Sequence, residues 1–261
     1  MDDSPVLFEV DDHVGLIRLN QPTLRNSMRP ELLEAFTRVL AEASACAELR
    51  CLVITGSGSC FSAGADLESA LAVEADGLLP HERSYAMYAP FLRVLDVELP
   101  VLAAMNGHAV GGGFGLALLC DIRVANRGAK YGANFARLGL HPGLGISYLL
   151  PRLVGASRAA EMLFTGQLIR GDEAERIGLV SRAVDADEVL PVTLELAHRI
   201  AAAAPLAVRS MKRSLYRGLE WDVRRAAALE AGPQAETLAT ADAKEGVAAL
   251  LEKREPEFHG R

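Results

Sequence analysis

A glycine-rich stretch at residues 106–121, NGHAVGGGFGLALLCD, constrains the fold more than any other part of the chain. Three consecutive glycines, then Phe114 and a fourth glycine, stand directly before an apolar run. Glycine is a poor helix former and weakens the interior of a strand, so this cluster needs a physical reason. The stretch lies between two strand-like runs, PVLAAMNG and IRVAN, and therefore predicts a strand that turns into a buried helix.

Strand and helix patterns alternate along the rest of the chain. Runs at residues 6–10 and 14–19 predict a hairpin, and CLVITG predicts a buried strand. Apolar residues at helical spacing predict a helix from Pro30, another over residues 81–96, and a third with Asp172 as its N-cap. From about residue 187 the pattern becomes helical and rich in alanine.

This change of pattern predicts an α/β body over residues 1–190 and a helical region over residues 191–261. The apolar faces of the helical region exceed what a small tail can bury alone, so we expect it to mediate oligomerisation.

Composition argues against several classes of function. The net charge of −7 argues against nucleic-acid binding, which usually needs a basic face. The four cysteines lack C-x-x-C spacing, so we expect small buried hydrophobes in a reducing compartment and no metal site. No apolar run approaches the roughly 20 residues of a membrane helix, and the acidic start lacks a signal-peptide core. We therefore expect a cytoplasmic protein without a membrane partner.

Two glycine-bearing loops follow two predicted buried strands at the same relative place. FSAGADL follows CLVITG, and GHAVGGGFG follows VLAAMN. A loop that leaves a strand and enters a helix presents free backbone N–H groups, and two such loops can aim two donors at one point. That arrangement stabilises an oxyanion, and the loss of one donor typically costs about 3 kcal/mol. The alternative is that the glycines serve only close packing of helix and strand.

Nucleotide-binding loops fit these glycines less well. GSGSCF begins like a dinucleotide-binding fingerprint but has Phe61 at its sixth position, and no G-K-[ST] follows any of the glycines.

Seven motifs occur in order along almost the whole chain: PTLRNSM, FSAGADL, NGHAVGGGFGLALLCDIRVA, LGLHPGLG, LLPRLVG, AERIGLV and EKREPEF. Together they resemble the crotonase superfamily, the enoyl-CoA hydratase/isomerase group. The resemblance implies an α/β spiral of ββα units with a C-terminal helical region that mediates trimers, or hexamers built as dimers of trimers. It also implies acyl-CoA thioester substrates, an oxyanion hole for the thioester carbonyl, and no cofactor beyond the coenzyme A of the substrate.

Particular residues take roles through this resemblance. The backbone N–H groups of Ala65 and Gly112 would be the two oxyanion donors. Contacts to coenzyme A are implied at six positions, the last of them often reaching a neighbouring subunit: Leu24, Arg25, Ala63, Asp66, Leu67 and Lys253. Basic side chains suit the anionic phosphates of coenzyme A, although Arg25 and Lys253 could equally be solvated surface charges.

The acidic residues expected of this family are missing. The two glutamates of its hydratases align with Gly115 and Phe135, and an aspartate found in some isomerases aligns with Gly143. Glycine and phenylalanine cannot transfer protons. His141 is a candidate substitute, because histidine titrates near neutrality, although it could also be a packing residue of its loop. No role is assigned to four residues on the predicted helix over the pocket: His81, Glu82, Tyr85 and Tyr88.

Three functions remain open on the sequence. The first is an enzyme of this superfamily that stabilises a thioester enolate but does not hydrate crotonyl-CoA efficiently. The second is a genuine enoyl-CoA hydratase with a substitute acid or base. The third is an acyl-CoA-binding protein without catalysis.

Overall fold

The computed structural model describes residues 4–66, 77–216, 219–254 and 256. Its strands, in chain order, are β1 (Val6–Asp11), β2 (Val14–Leu19), β3 (Cys51–Gly56), β4 (Cys60–Ser62), β5 (Val101–Met105), β6 (His108–Val110), β7 (Ile122–Asn126), β8 (Lys130–Gly132), β9 (Ile169–Arg170) and β10 (Arg182–Val184). Its helices are α1 (Pro30–Ala45), α2 (Pro80–Leu92), α3 (Gly112–Leu119), α4 (Ile146–Val154), α5 (Ala156–Thr165), α6 (Gly171–Arg176), α7 (Val189–Ala201), α8 (Pro205–Tyr216), α9 (Leu219–Leu238) and α10 (Ala241–Glu252). Short 3-10 helices span Pro22–Leu24, Arg93–Asp96 and Asn134–Leu138.

The strands form two sheets. The larger sheet has the order β1-β2-β3-β5-β7-β10 and is parallel except for the β1–β2 hairpin. The smaller sheet has the order β4-β6-β8-β9, in which β4, β6 and β8 are parallel. β3 and β5 are each followed by one strand of the smaller sheet and then a helix before the chain returns to the larger sheet, whereas β8, helices and β9 lie between β7 and β10. This repeat confirms the expected spiral of ββα units.

Alternating side chains of the larger sheet belong to two hydrophobic cores, one on each face of the sheet. Ile54 and Ala103 point to the side that holds α1 to α5, whereas Val53 and Leu102 point to the side covered by α7. All six residues of β3 are buried, as the continuous apolar run predicts for a central parallel strand.

The last helices pack back onto earlier parts of the same chain. Helix α9 lies against α2 and α4, and α10 lies against the 3-10 helix Asn134–Leu138. A methyl group on Gly246 of α10 would lie 2.6 Å from the Leu138 carbonyl carbon, so glycine allows this close approach. The predicted division at residue 190 and the oligomeric role of the helical region stay predictions. Its exposed apolar side chains include Leu206, Met211, Leu215, Leu229, Leu250 and Leu251.

Helix α6 begins at Gly171 with Arg170 as its N-cap, so Asp172 lies in the first turn and the predicted cap is wrong by two residues.

Within the described ranges, no single helix is both long and apolar enough to cross a membrane. The pair Val189–Ala201 and Pro205–Arg213 reaches that length together but bends by 105°.

Candidate active site

The two glycine-bearing loops are direct neighbours. They leave the adjacent parallel strands β4 and β6, in which Ser62 pairs with Ala109. Gly64 has a φ of +84°, and a methyl group on it would lie 2.6 Å from the Val110 carbonyl oxygen and 2.8 Å from the Gly112 nitrogen. The backbones therefore touch where a side chain would not fit, which gives Gly64 a packing reason of its own.

Helix α3 begins at this junction. Gly111, with φ 56° and ψ −123°, precedes it, and Gly112 is its first residue. The first intrahelical bond runs from Gly115 N to Gly111 O, so the N–H groups before Gly115 have no acceptor within the helix. All eight residues of α3 are buried, and its positive dipole end therefore lies inside the protein beside the Gly64 loop.

The buried guanidinium of Arg123 binds the other end of α3. It donates to the carbonyl oxygens of Cys120 at 2.6 Å, Leu179 at 2.8 Å and Ala117 at 3.5 Å. Burial lowers the pKa of Arg123 from its ordinary value, because a low dielectric disfavours the charge. A cation at a helix C-terminus also complements the helix dipole, so Arg123 holds α3 in position at its C-terminal end.

A second segment, residues 25–29, holds the Gly64 loop from the other side. Met28 N donates to Gly64 O at 2.8 Å, and Met28 forms an isolated parallel bridge with Ala65. Ala63 N donates to Arg25 O at 3.0 Å, and an ion pair of 2.8 Å joins Arg29 Nη2 to Asp66 Oδ2. The segment from Arg25 to Arg29 and the loop to Asp66 thus form one unit.

Asn26 organises this unit, and the sequence reasoning missed it. Its side chain is fully buried, and Oδ1 accepts from Gln21 N at 2.8 Å. Its Nδ2 lies 2.8 Å from Cys60 O, with Phe61 O at 3.2 Å. Asn26 also has φ 51°, a conformation that asparagine adopts more readily than most residues. An asparagine within a loop motif was the available signal, but the carbonyl groups that its Nδ2 contacts lie more than 30 residues away.

The residues predicted to contact coenzyme A separate into two groups. Leu24 and Arg25 are exposed, and Arg25 O accepts from Ala63 N, while Asp66 of the same loop pairs with Arg29. Leu67 lies outside the described residues.

Lys253 forms the second group. It follows α10 with φ 57° and is exposed. Its predicted contact with coenzyme A, like those of the other five positions, stays a prediction.

The three positions that lack acidic residues are filled in different ways. A methyl group on Gly115 would lie 2.6 Å from Leu144 Cδ2, so Leu144 occupies the space of any side chain there. Phe135 is buried, and its Cζ lies 3.7 Å from where Gly111 would carry a methyl group. At Gly143 a methyl group would lie 2.8 Å from the Cζ atom of Tyr88.

A buried tyrosine–glutamine pair therefore stands beside these glycines. Gln234 Nε2 on α9 donates to the Tyr88 hydroxyl on α2 at 2.8 Å and to His141 O at 3.3 Å. Both side chains are almost fully buried, at 4% and 3% exposure. Tyr88 Cε1 also lies 3.4 Å from the methyl position of Gly112, which Met28 Sδ approaches as well. Among the described residues, Met28 and the ring of Tyr88 are thus the nearest neighbours of the Gly112 methyl position.

His141 has contacts that orient it. Its backbone N–H donates to Thr237 Oγ1 at 3.1 Å, and its Nδ1 lies 2.7 Å from Pro142 O. Because a carbonyl only accepts, Nδ1 carries a proton in this arrangement. The candidate acid–base role of His141 stays a prediction.

The buried thiols have the inert character expected of core cysteines. Burial raises the pKa of both Cys51 and Cys120 to about 12, so these thiols stay protonated at neutral pH. In the parts of the chain that the structure describes, no group of three or more His, Cys, Asp or Glu residues is placed to hold a metal ion.

Proteins of known sequence or structure resemble this chain along almost its whole length. A short-chain-enoyl-CoA hydratase of Clostridium acetobutylicum is 35% identical over 253 residues, which cover 97% of this chain and 96% of the relative. A crotonyl-CoA hydratase of Syntrophomonas wolfei is 36% identical over 254 residues, 97% of each chain. The crystal structure of an enoyl-CoA hydratase/isomerase from Pseudoalteromonas atlantica matches with a TM-score of 0.87 and 31% identity, covering 98% of this chain and 100% of the other.

The family model for enoyl-CoA hydratase/isomerase matches residues 9–261, almost the entire chain. That match, the relatives and the spiral of ββα units agree with one another. The chain belongs to the enoyl-CoA hydratase/isomerase family of the crotonase superfamily.

Proposed function

We propose that this protein is an enzyme that binds acyl-CoA thioesters and stabilises a thioester enolate between the backbone N–H groups of Ala65 and Gly112. The direct contact of the Gly64 and Gly112 backbones carries this proposal, because it brings the two loops to one point. Both donors are backbone groups on rigidly held segments, so they need little reorganisation when charge develops on the thioester oxygen. The dipole of α3 adds to the stabilisation of negative charge beside Gly112.

Coenzyme A binds, in this proposal, along the exposed Leu24 and Arg25 and the half-buried Ala63 and Asp66. The joined backbones of Arg25 and Ala63 support it, since they hold that surface next to Ala65. Arg25 supplies a cation for the phosphates. Leu67 and Lys253 are further proposed contacts, the latter within a trimer or hexamer.

The reaction that follows enolate formation is not, in this proposal, efficient hydration of crotonyl-CoA. Gly115 and Phe135 cannot activate water, and Leu144 and Phe135 make that side of the pocket apolar. Decarboxylation suits such a pocket, because loss of carbon dioxide itself generates the enolate. The second candidate is a hydratase that uses another acid or base, and it is favoured by the relatives from C. acetobutylicum and S. wolfei, which are both named hydratases.

The hole is tested by comparing Gly112→Pro with Gly112→Ala. Both add a carbon that meets Met28 Sδ, but only proline removes the N–H, and proline is tolerated at the first position of a helix. Bound acetoacetyl-CoA reports enolate formation through its ultraviolet absorption. We expect Gly112→Pro to lose this signal while binding of free coenzyme A persists, and Gly112→Ala to retain a larger part of it. An unchanged signal in Gly112→Pro would place the hole elsewhere.

The reaction is tested with a panel of thioesters. Turnover of malonyl-type or 3-enoyl thioesters with slow crotonyl-CoA hydration supports the first candidate. Fast hydration supports the second, and binding of every thioester without turnover would overturn both.

A further inference from the structure

The backbone N–H of Ala65, a donor of the proposed hole, directly follows a glycine. The peptide bond between Gly64 and Ala65 is trans, so the Gly64 carbonyl and the Ala65 N–H lie in one plane and point in opposite directions. Glycine has more backbone freedom than any other residue, so the peptide units beside it need contacts that hold them. The direction of the Ala65 N–H therefore depends on the hydrogen bonds on either side of Gly64.

Met28 holds the peptide unit that follows Gly64. Its backbone N–H donates to Gly64 O at 2.8 Å, so the Ala65 N–H points away from the Met28 nitrogen. Among the described residues, no acceptor is paired with the Ala65 N–H. This donor is thus fixed in direction and left available to a ligand.

The hydroxyl of Ser62 holds the peptide unit that precedes Gly64. Gly64 N donates to Ser62 Oγ at 3.2 Å, and Ser62 Oγ in turn donates to Asn26 O at 2.8 Å. A hydroxyl has one hydrogen and two lone pairs, so it can fill both roles at once. Ser62 is fully buried. The Gly64 N–H is therefore tied through one buried oxygen to the same segment, residues 25–29, that supplies the Met28 N–H.

Ser62 also contacts the loop of the other proposed donor. A methyl group on Gly113 would lie 2.2 Å from Ser62 O and 2.6 Å from Ser62 Cβ. Gly113 directly follows Gly112 in the first turn of α3. A single buried serine is thus in contact with both loops of the proposed hole.

We propose that Ser62 is a positioning residue that directs the Ala65 N–H toward the thioester oxygen. Its hydroxyl acts through the Gly64 backbone and does not itself contact the substrate. This inference rests on the proposed function, because it needs the Ala65 N–H to be a donor to that oxygen. Hydrogen bonds weaken steeply when they are bent, and donors stabilise a developing charge best when their direction is set in advance.

The experiment measures the ratio of enolate to keto form of bound acetoacetyl-CoA, by ultraviolet absorption over a range of pH. Ser62→Ala removes only the hydroxyl oxygen. We expect it to lower this ratio about 3- to 10-fold at a given pH, the effect of one lost hydrogen bond, so that the enolate forms at higher pH. Affinity for free coenzyme A should change by less than about 2-fold, because only the direction of the Ala65 N–H is disturbed.

Two further variants calibrate this result. Ser62→Cys keeps a side chain of similar shape whose thiol forms weaker hydrogen bonds, and it should lower the ratio less than Ser62→Ala does. Thr193→Val is the matched control. It removes another fully buried hydroxyl, which donates to Val189 O at 2.6 Å within α7, and it should leave the ratio unchanged.

The outcomes separate this inference from the proposed function. An unchanged ratio in Ser62→Ala overturns the positioning role, even when Gly112→Pro loses the enolate signal. Equal losses of affinity for acetoacetyl-CoA and free coenzyme A overturn it as well, since the hydroxyl would then only support the loop. A signal that persists in Gly112→Pro overturns the proposed hole and, with it, the inference. Should Ser62→Ala fail to fold, as its melting curve would show, Ser62→Cys decides, because an unchanged ratio there contradicts the positioning role.

Discussion

The backbone of Gly64 touches that of Gly112: a methyl group on Gly64 would lie 2.8 Å from the Gly112 nitrogen. Two loops that are 48 residues apart in the chain therefore meet without any side chain between them.

The variant Gly64→Ala should consequently lose both stability and ligand binding. The added carbon also meets Val110 O at 2.6 Å, and the φ of +84° is unfavourable for alanine. Gly155→Ala is the matched control, since Gly155 has a φ of +80° but no atom within 4 Å of its methyl position. Both changes should cost about 1–3 kcal/mol in unfolding free energy for the backbone conformation. Only Gly64→Ala should add the overpacking cost of about 1–3 kcal/mol and weaken acetoacetyl-CoA binding at least about 10-fold. Equal losses in the two variants would refute a special role for this contact.

Crotonyl-CoA hydration by the unmodified protein should be several orders of magnitude below that of an ordinary hydratase. Each positioned acid or base contributes about 10²–10⁴-fold, and Gly115 and Phe135 provide neither. The structure adds a condition for restoring the activity: glutamate at residue 115 collides with Leu144, whose Cδ2 lies 2.6 Å from the methyl position.

We therefore expect Gly115→Glu with Phe135→Glu to stay inactive, and the same pair combined with Leu144→Gly to gain hydration. Leu144 has a φ of +60°, which glycine accepts. A spectrophotometric hydration assay measures both, after circular dichroism has verified folding. Ordinary hydration rates in the unmodified protein would show that another residue replaces the glutamates, and His141→Ala would then identify or exclude His141.

Replacing Arg123, which binds the C-terminal end of α3, should shift that helix. Arg123→Met leaves the carbonyls of Ala117, Cys120 and Leu179 without their cationic donor. We expect a loss of about 2–3 kcal/mol in urea unfolding, since a buried carbonyl left unpaired costs about 1–3 kcal/mol. Acetoacetyl-CoA binding should weaken as well, because the N-terminus of α3 shifts. The exposed Arg182 provides the control, and Arg182→Met should change stability by less than about 0.5 kcal/mol.

Stability should fall as the pH rises above 9. The thiols of Cys51 and Cys120 ionise near 9.0 in an unfolded chain, whereas burial raises their pKa to about 12 in the folded protein. Between these values the unfolded state has released protons that the folded state keeps, so alkali favours unfolding. The contribution is fully present below pH 9 and is lost as the pH approaches 12. Urea midpoints recorded from pH 7 to 11 measure this slope. The double variant Cys51→Ala with Cys120→Ala should have a shallower slope, and an identical one would contradict the assignment.

The long elements of the fold were predictable from the sequence. The hairpin strands, the strand CLVITG and the helix from Pro30 are each long enough to have a recognisable apolar pattern. Each is found where expected. The short strands β4, β6, β8 and β9 have only two or three residues each. That is too few to recognise the alternation of apolar and polar residues that identifies a strand. Asp172 is not the N-cap, because Gly171 already belongs to the helix. Gly171 packs closely against the backbone of residues 126–127.

The candidate site was predictable only where it depends on local chain geometry. Two loops after two neighbouring strands predict that Ala65 and Gly112 lie in adjoining segments. The roles of Asn26, Tyr88 and Gln234 depend instead on partners far along the chain, and no local pattern reports such pairs. Tyr88 was noticed on its helix, but its partner was not.

Gln234 is bonded to a residue 146 positions earlier, and this separation has a consequence for synthesis. The two glycine-bearing loops belong to the first half of the chain and leave the ribosome early, whereas α9 (Leu219–Leu238) emerges late. A growing chain therefore holds its two adjoining loops before it holds the wall that faces them. We therefore expect chains truncated before residue 219 to bind acyl-CoA thioesters more weakly than the 261-residue chain does.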